Sequence, residues 1–205
     1  ISALITAIGV SFLLESLALI IFKAEPKVIK TENIPSFLSS DSINFGYVSV
    51  SKLTIFVIVV TLLCMLGLNF FIKKTKLGKA TRAVSQDTSA AKLMGINVNL
   101  TIAVTFAIGS ALGSLGGVLY ALMYPRTEPY MGVLPGLKAF IAAVFGGIGS
   151  IPGAMIGGYL MGMIESYTKG YISSTWANPI VFGTLIVILL FKPSGLFGKN
   201  VKEKV

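Results

Sequence analysis

Long apolar runs separated by short polar segments dominate the chain. Runs at 1–22, 53–72 and 100–124 each match the roughly 20 residues that a helix needs to cross the hydrocarbon core of a bilayer. A shorter run follows at 176–191. The pattern predicts an all-α, polytopic helical membrane protein with about four full spans, and the glycine-rich segment 136–168 requires separate treatment.

Segment 136–168 is apolar, but glycines interrupt it. Its first part, 137–145, gives only about 14 Å of helix, which is half the hydrocarbon thickness. Five residues then favour a reversal and a new helix start: Gly146, Gly147, Gly149, Ser150 and Pro152. We expect a half-helix, a bend and a full helix, a re-entrant hairpin beside a solute path or a subunit interface. The alternative is a short buried helix followed by a surface loop.

The glycine of the tail, Gly198, is expected to tolerate substitution better than the glycines of the bend. Gly198 lies in the basic tail, outside the apolar runs. We expect Gly198 to accept a side chain, whereas Gly147 must stay small because the bend brings backbone close to backbone.

Basic residues concentrate in the connection 73–99, between the second and third runs: Lys73, Lys74, Lys76, Lys79, Arg82 and Lys92. Positive charge in short loops favours the cytoplasmic side, so 73–99 and the lysine-rich tail 192–205 are predicted to be cytoplasmic. The nearly neutral loop 23–52 is predicted to be external. The same charge bias would occur in any multi-pass membrane protein, whatever its function.

Connection 73–99 also contains a helix signal. Asp87 or Thr88 can cap a short helix over 89–94, and Gly95 can end it in the left-handed conformation. A compact helix where a plain loop would suffice is typical of a membrane protein that receives force from a soluble motor. We therefore predict a docking element for a soluble motor.

Composition excludes several classes of site. Hydrophobic residues make up 54% of the chain and charged residues 12%, and there is no His. The lack of His argues against His-based catalysis and a His-ligated metal centre. Cys64 lies in an apolar run and gives no sign of a metal or redox site. No phosphate-binding GxxxxGK[ST] loop occurs, so no cofactor is expected here and any driving ATP would bind another subunit. The net charge of +9 indicates topology at a lipid membrane and no nucleic acid.

Charged residues inside the apolar segments are few. Lys138 opens the predicted half-helix, and Glu165 precedes Lys169 by four residues, a spacing that favours an ion pair. Lys138 and Glu165 are candidate polar residues of a solute path. A hairpin centred on Gly147 and Ile148 would leave them out of level by about eight residues, or 12 Å, so no bridge between them is expected.

Four segments resemble one family, the Liv-type permeases of branched-chain amino-acid ABC importers, and specifically their H-type member. They are TKLGKATRAVSQDTSAAKLMGIN from Thr75, TFAIGSALGSLGGVLYA from Thr105, PYMGVLPGLKAFIAAVFGGIGSIPGAMIGG from Pro129 and FKPSGLFG from Phe191. The resemblance implies a second, M-type permease, two cytoplasmic ATPases and an external solute-binding protein as partners. Family members begin with further helices, so upstream sequence is expected before Ile1.

The importer coupling motif EAAxxxG aligns with 89–95. Ser89 replaces the Glu of the motif, whereas Ala90, Ala91 and Gly95 match it. These four residues and Lys92 are the candidate residues for coupling to the ATPase. No IxLP follows. The resemblance implies transport of branched-chain amino acids by alternating access across a bacterial or archaeal inner membrane. The alternatives are an ion-coupled secondary carrier and a membrane subunit without a pathway, and urea-like amides stay open as substrates.

Overall fold

The computed structural model describes residues 2–28, 42–45, 48–147 and 149–198. The predictions for Ile148 and for 29–41 and 199–205 fall outside the described residues. Helices occupy most of the rest: α1 (Ser2–Phe22), α2 (Lys52–Lys74), α3 (Lys76–Gln86), α4 (Thr88–Leu93), α5 (Val98–Met123), α6 (Val133–Gly146), α7 (Ile151–Tyr171) and α8 (Ser174–Phe191). Short strands are β1 (Lys27–Val28), β2 (Ser42–Phe45), β3 (Val48–Ser51) and β4 (Arg126–Thr127).

Three helices are long and apolar enough to span a membrane within the described residues: α2, α5 and α8. The bent pair α6 and α7 passes the same test when taken together, and Gly9–Phe22 of α1 is a shorter apolar helix. Many large apolar side chains on these helices are exposed in the chain itself, as expected for surfaces that meet lipid or a partner. The expected all-α, multi-pass membrane fold is confirmed.

Helix α6 is longer than the half-helix expected at 137–145. It has 14 residues and starts at Val133, which gives about 21 Å of helix. Pro135 lies in its first turn, where backbone N–H groups have no helical acceptor, so the missing donor costs nothing. The helix is still shorter than the hydrocarbon core of about 30 Å.

The chain forms two compact units. The first contains 1–64 and 74–133, and the second contains 65–73 and 134–205.

In the first unit, an antiparallel pair of short strands joins the end of α1 to the end of α5. Lys27 pairs with Thr127 and Val28 with Arg126. The Thr127 hydroxyl donates to the Lys27 carbonyl oxygen at 3.0 Å. A second ribbon, β2 with β3, precedes α2. No strand was expected in loop 23–52, and the pairing of β1 with β4 places the ends of α1 and α5 on the same side.

In the second unit, α7 and α8 pack along each other with only two residues between them. The apolar core draws on α6, α7 and α8 through Ile141, Phe145, Met161 and Val181, each at most 5% exposed. The core therefore lies among the three helices around the glycine bend, and it fixes the position of α6.

Candidate functional site

The N-terminus of α4 is capped by a carboxylate. The Asp87 side chain accepts the N–H groups of Ser89 at 2.8 Å and Ala90 at 3.0 Å. These N–H groups have no acceptor within the helix, so the cap stabilises a helix of only six residues. Of the two predicted caps, Asp87 is the N-cap and Thr88 is the first helical residue.

The C-terminus of α4 ends in a glycine stop. Gly95 has φ of +79°, a conformation that favours glycine. Its N–H donates to the Lys92 carbonyl oxygen, and the Ile96 N–H donates to the Ala91 carbonyl oxygen, both at 3.0 Å. This pair of bonds is a Schellman motif. The predicted helix stop is confirmed, and both ends of α4 are fixed.

The two faces of α4 differ in exposure. Ala91 is 4% exposed, because α4 packs on α3 and α5. Leu93 and Met94 are 88% and 82% exposed, and Ser89, Ala90 and Lys92 also face outward. Of the two motif alanines, only Ala90 is available to a partner. A substitution at Ala91 would disturb the packing of α4 within the chain before it affected any docking.

Helix α3 was not predicted as a separate element. The Thr75 hydroxyl accepts the Gly78 N–H at 3.0 Å and caps it. The exposed cations Lys76, Lys79 and Arg82 lie on α3, and the Thr81 hydroxyl meets that of Thr105 on α5 at 3.2 Å. Two sequence signals could have predicted α3: the capping residue Thr75 and the alternation of cations with small apolar residues.

The predicted bend between α6 and α7 is present, with a change of direction of 119°. Gly147 and Gly149 have φ of +107° and +89°. The Ser150 hydroxyl accepts the Gly153 N–H at 3.2 Å and caps α7, and Pro152 lies in the first turn. The residues that the sequence singled out therefore form the bend and the helix start.

Helices α6 and α7 cross in backbone contact through glycine. A Cβ added at Gly153 would lie 2.5 Å from the Gly146 carbonyl oxygen. One added at Gly157 would lie against the Ala142 carbonyl oxygen and 2.8 Å from the Gly146 nitrogen. Real Cβ contacts are not this short, so glycine is required for the packing of this pair.

Lys138, Glu165 and Lys169 form an ion triad, and this corrects the expectation that Lys138 and Glu165 do not meet. The Lys138 ammonium donates to Glu165 Oε1 at 2.8 Å, and the Lys169 ammonium donates to the same oxygen at 2.6 Å. The Glu165 side chain is 18% exposed and that of Lys138 is 29% exposed. The two predicted path residues are therefore brought together, with Lys169 as a third member.

The error came from the level of the reversal. Gly146 packs against Gly153, and Ala142 against Gly157, so the hairpin is centred between Gly149 and Ser150. This centre is two residues later than expected, which shifts the facing positions by four. Glu165 is then only one helical turn, about 6 Å, from the level of Lys138, and a lysine side chain covers that distance.

The family model for the permease component of branched-chain amino acid transport systems matches residues 1–190. The chain belongs to this family. It is 42% identical over 202 residues to the high-affinity branched-chain amino acid transport system permease protein BraD of Pseudomonas aeruginosa. It is 39% identical over 203 residues to the permease protein LivH of Salmonella typhimurium, and 32% identical over 174 residues to a probable LivH of Methanocaldococcus jannaschii.

These matches cover 98%, 99% and 82% of the chain, but 66%, 66% and 54% of the respective relatives. The chain thus spans about two thirds of the length of the first two. No solved structure matches the chain. The resemblance stated from the sequence is confirmed at the level of the family.

Gly157→Ala should destabilise the α6 and α7 hairpin. The added methyl group would clash with backbone atoms of α6, which should lower the free energy of unfolding by about 1–3 kcal/mol. Gly162→Ala on the same helix is the control, because its Cβ would meet no atom of the described residues beyond its own helix within 4 Å. The measurement is the thermal unfolding midpoint of purified protein in detergent. Equal midpoints for the two variants would contradict the close crossing.

Glu165→Gln should destabilise the second unit more than Lys138→Met. The first variant leaves two ammonium groups without their shared carboxylate in an apolar segment, with a cost on the order of 2 kcal/mol. The second leaves the pair of Glu165 with Lys169 intact. The same thermal measurement ranks the two variants, and a larger loss in Lys138→Met would show that the carboxylate does not organise the triad.

Proposed function

We propose that the chain is a permease subunit of an ATP-driven importer that moves branched-chain amino acids across the plasma membrane. Membership of the branched-chain amino acid permease family supports the transport role. The high-affinity transport systems named for the relatives BraD and LivH support this class of substrate. Urea-like amides are the competing substrates.

The observation that carries the proposal is the structure of α4. It is capped at both ends, it packs on α3 and α5 through Ala91, and it projects Leu93 and Met94 into solvent. Two exposed apolar side chains on a short rigid helix are suited to a groove of a soluble partner. Ala90 and Lys92 border this apolar tip.

Force on α4 would pass directly into α5. Helix α4 packs on α3 and α5, and the Thr81 and Thr105 hydroxyl groups bond α3 to α5. ATP-driven closure of the motor subunits would move α4, and the attached α2 and α5 would tilt to open or close the path by alternating access. This chain has no phosphate-binding loop, so ATP binds the motor subunits and no cofactor is assigned to the permease.

The proposed assembly contains a second, M-type permease, two cytoplasmic ABC ATPases and an external solute-binding protein. We place it in the inner membrane of a bacterium or archaeon, in contact with lipid, with the tail in the cytoplasm. Strands β1 and β4 lie at the opposite end of α5 from α3 and α4, which supports opposite sides for the loop after α1 and the basic segment.

An ion-coupled secondary carrier is the second candidate, and one observation favours it. The triad of Lys138, Glu165 and Lys169 is an ionisable cluster within helices of a candidate broken span. Carriers commonly use such groups for coupling. Uptake that follows an ion gradient without ATP, and that is lost in Glu165→Gln, would support the carrier.

The full complex, reconstituted in liposomes with its ATPases and binding protein, should take up leucine on ATP and not on an ion gradient. Leu93→Asp should reduce ATPase binding and uptake by about tenfold or more, because a charge would replace an apolar anchor. Asn99→Asp is the matched control. Asn99 is exposed in the first turn of α5, where a negative charge is favourable.

Copurification of the ATPases and uptake of radiolabelled leucine measure the two effects. Normal uptake and copurification in Leu93→Asp would reject α4 as the docking element. Uptake of a urea-like amide but not of leucine would reject the branched-chain substrate alone.

Topology can be tested with single cysteines in a Cys64→Ala background. Glu25→Cys, beside β1, should react with an impermeant thiol reagent from outside the cell. Lys92→Cys, on α4, should react only in inverted vesicles, because basic short segments stay in the cytoplasm. Both wild-type residues are exposed. Labelling of both positions in intact cells would overturn the cytoplasmic position of α4.

A further inference from the structure

The FKPSGLFG motif at 191–198 has no role in the proposed coupling, yet it makes specific contacts. Helix α8 ends at Phe191, and Pro193 follows, a residue that cannot donate to a continuing helix. The Gly195 N–H donates to the Lys192 carbonyl oxygen at 2.9 Å, and Gly195 has φ of +75°. This turn directs the chain back towards α6. We call residues 192–198 the strap.

The strap supplies hydrogen bonds that α6 lacks. The Leu196 N–H donates to the Phe145 carbonyl oxygen at 2.9 Å, and the Phe197 N–H donates to the Gly146 carbonyl oxygen at 3.0 Å. Carbonyl groups in the last turn of a helix have no helical donor. In an apolar environment they must find one within the protein.

Among the described residues, each carbonyl group from Ala143 to Gly147 has a donor. The Gly147 N–H donates to the Ala143 and Val144 carbonyl oxygens, both at 3.1 Å. The Ser150 N–H donates to the Gly147 carbonyl oxygen at 3.1 Å. The strap therefore takes the place of the next turn of helix for the Phe145 and Gly146 carbonyl groups, to which the described residues of the bend donate nothing.

Glycine makes this close approach possible. A Cβ on Gly195 would lie 2.5 Å from the Val144 carbonyl oxygen and 2.6 Å from the Gly147 Cα. One on Gly147 would meet the backbone of Phe197 and Gly198. The expectation that Gly198 accepts a side chain is wrong, because its Cβ would lie 2.7 Å from the Ser194 carbonyl carbon.

A hydrogen bond within the strap and the packing of one of its side chains also fix its position. The Lys192 ammonium donates to the Leu196 carbonyl oxygen at 2.6 Å, and the Leu196 side chain packs on the core formed by α6, α7 and α8. The end of α6 is thus tied to α7 by glycine contacts and to the end of α8 by the strap. The bend is a fixed joint in spite of its glycines.

We propose that the strap is a positioning element of the permease: it holds the end of α6 at the angle needed for transport. Its functional part rests on the transport role proposed above. The strap itself touches no substrate in this account. Its loss should therefore slow the transport cycle and leave the substrate concentration for half-maximal uptake unchanged.

Hydrogen exchange tests the strap without any transport measurement. In the full complex, the Leu196 and Phe197 amides should exchange at least about tenfold more slowly than in an unstructured chain, because both are bonded to α6. Mass spectrometry of peptides that cover 192–198 gives the rates. Exchange at the rate of an unstructured chain would overturn the strap.

Two matched pairs test its role in uptake. Phe197→Pro removes the N–H that Gly146 accepts, whereas Phe197→Ala keeps it and changes a side chain that is 50% exposed. Gly195→Ala crowds α6, whereas Gly183→Ala in α8 would place its Cβ more than 4 Å from any atom of the described residues beyond its own helix. Uptake is normalised to assembled complex in the membrane.

Phe197→Pro should lower the maximal uptake rate by about tenfold, the factor expected when one buried carbonyl group loses its donor. Gly195→Ala should lower it by a similar factor, about tenfold, because its Cβ would clash with the Val144 carbonyl oxygen. Each control should transport normally. The second pair decides the matter if Phe197→Pro fails to assemble. Normal uptake in Gly195→Ala, or a changed half-saturation concentration, would overturn the positioning role. If the wild-type complex takes up no leucine, the proposed function fails, and hydrogen exchange still decides whether the strap exists.

Discussion

A backbone carbonyl group in an apolar environment must find a donor within the protein, and the second unit is organised around this constraint. A continuous helix meets it automatically, but the bend after Gly146 frees the last carbonyl groups of α6. Gly147 donates to Ala143 and Val144, and the strap that follows α8 donates to Phe145 and Gly146. The carbonyl group of Gly147, just beyond α6, accepts the Ser150 N–H. A segment about 50 residues later in the chain thus completes the hydrogen bonding of the broken helix.

Glycine stops serve opposite purposes in the two units. Gly95 ends α4 by local bonds to Ala91 and Lys92, so α4 is complete on the surface and can present Leu93 to a partner. At the end of α6 the local bonds of the buried Gly147 are supplemented by bonds that the strap donates to Phe145 and Gly146. A glycine with positive φ thus ends both helices, but the end of α4 is completed by local bonds and the end of α6 by bonds to a distant segment.

Features fixed by neighbouring residues could be predicted from the sequence, whereas features that depend on distant contacts could not. The Asp87 cap, the Gly95 stop and the Ser150 cap act within a few residues, and the structure confirms them. The ion pair of Lys138 depends on the level of the whole hairpin, and a shift of four facing positions reversed the expectation. Burial of Ala91 likewise depends on the packing of α4 against α3 and α5.

The hairpin of α6 and α7 is pinned at two levels. Near the bend, glycine contacts and the strap hold the end of α6, and eight residues earlier, about 12 Å along the helix, Lys138 is bonded to Glu165. Rotation of α6 about either of these two levels would break the contacts at the other level. A transport cycle that changes the tilt of α6 relative to α7 must therefore open the Lys138–Glu165 pair or the glycine contact. The ion pair is the cheaper to open, because Glu165 keeps its bond to Lys169 on the same helix when Lys138 leaves.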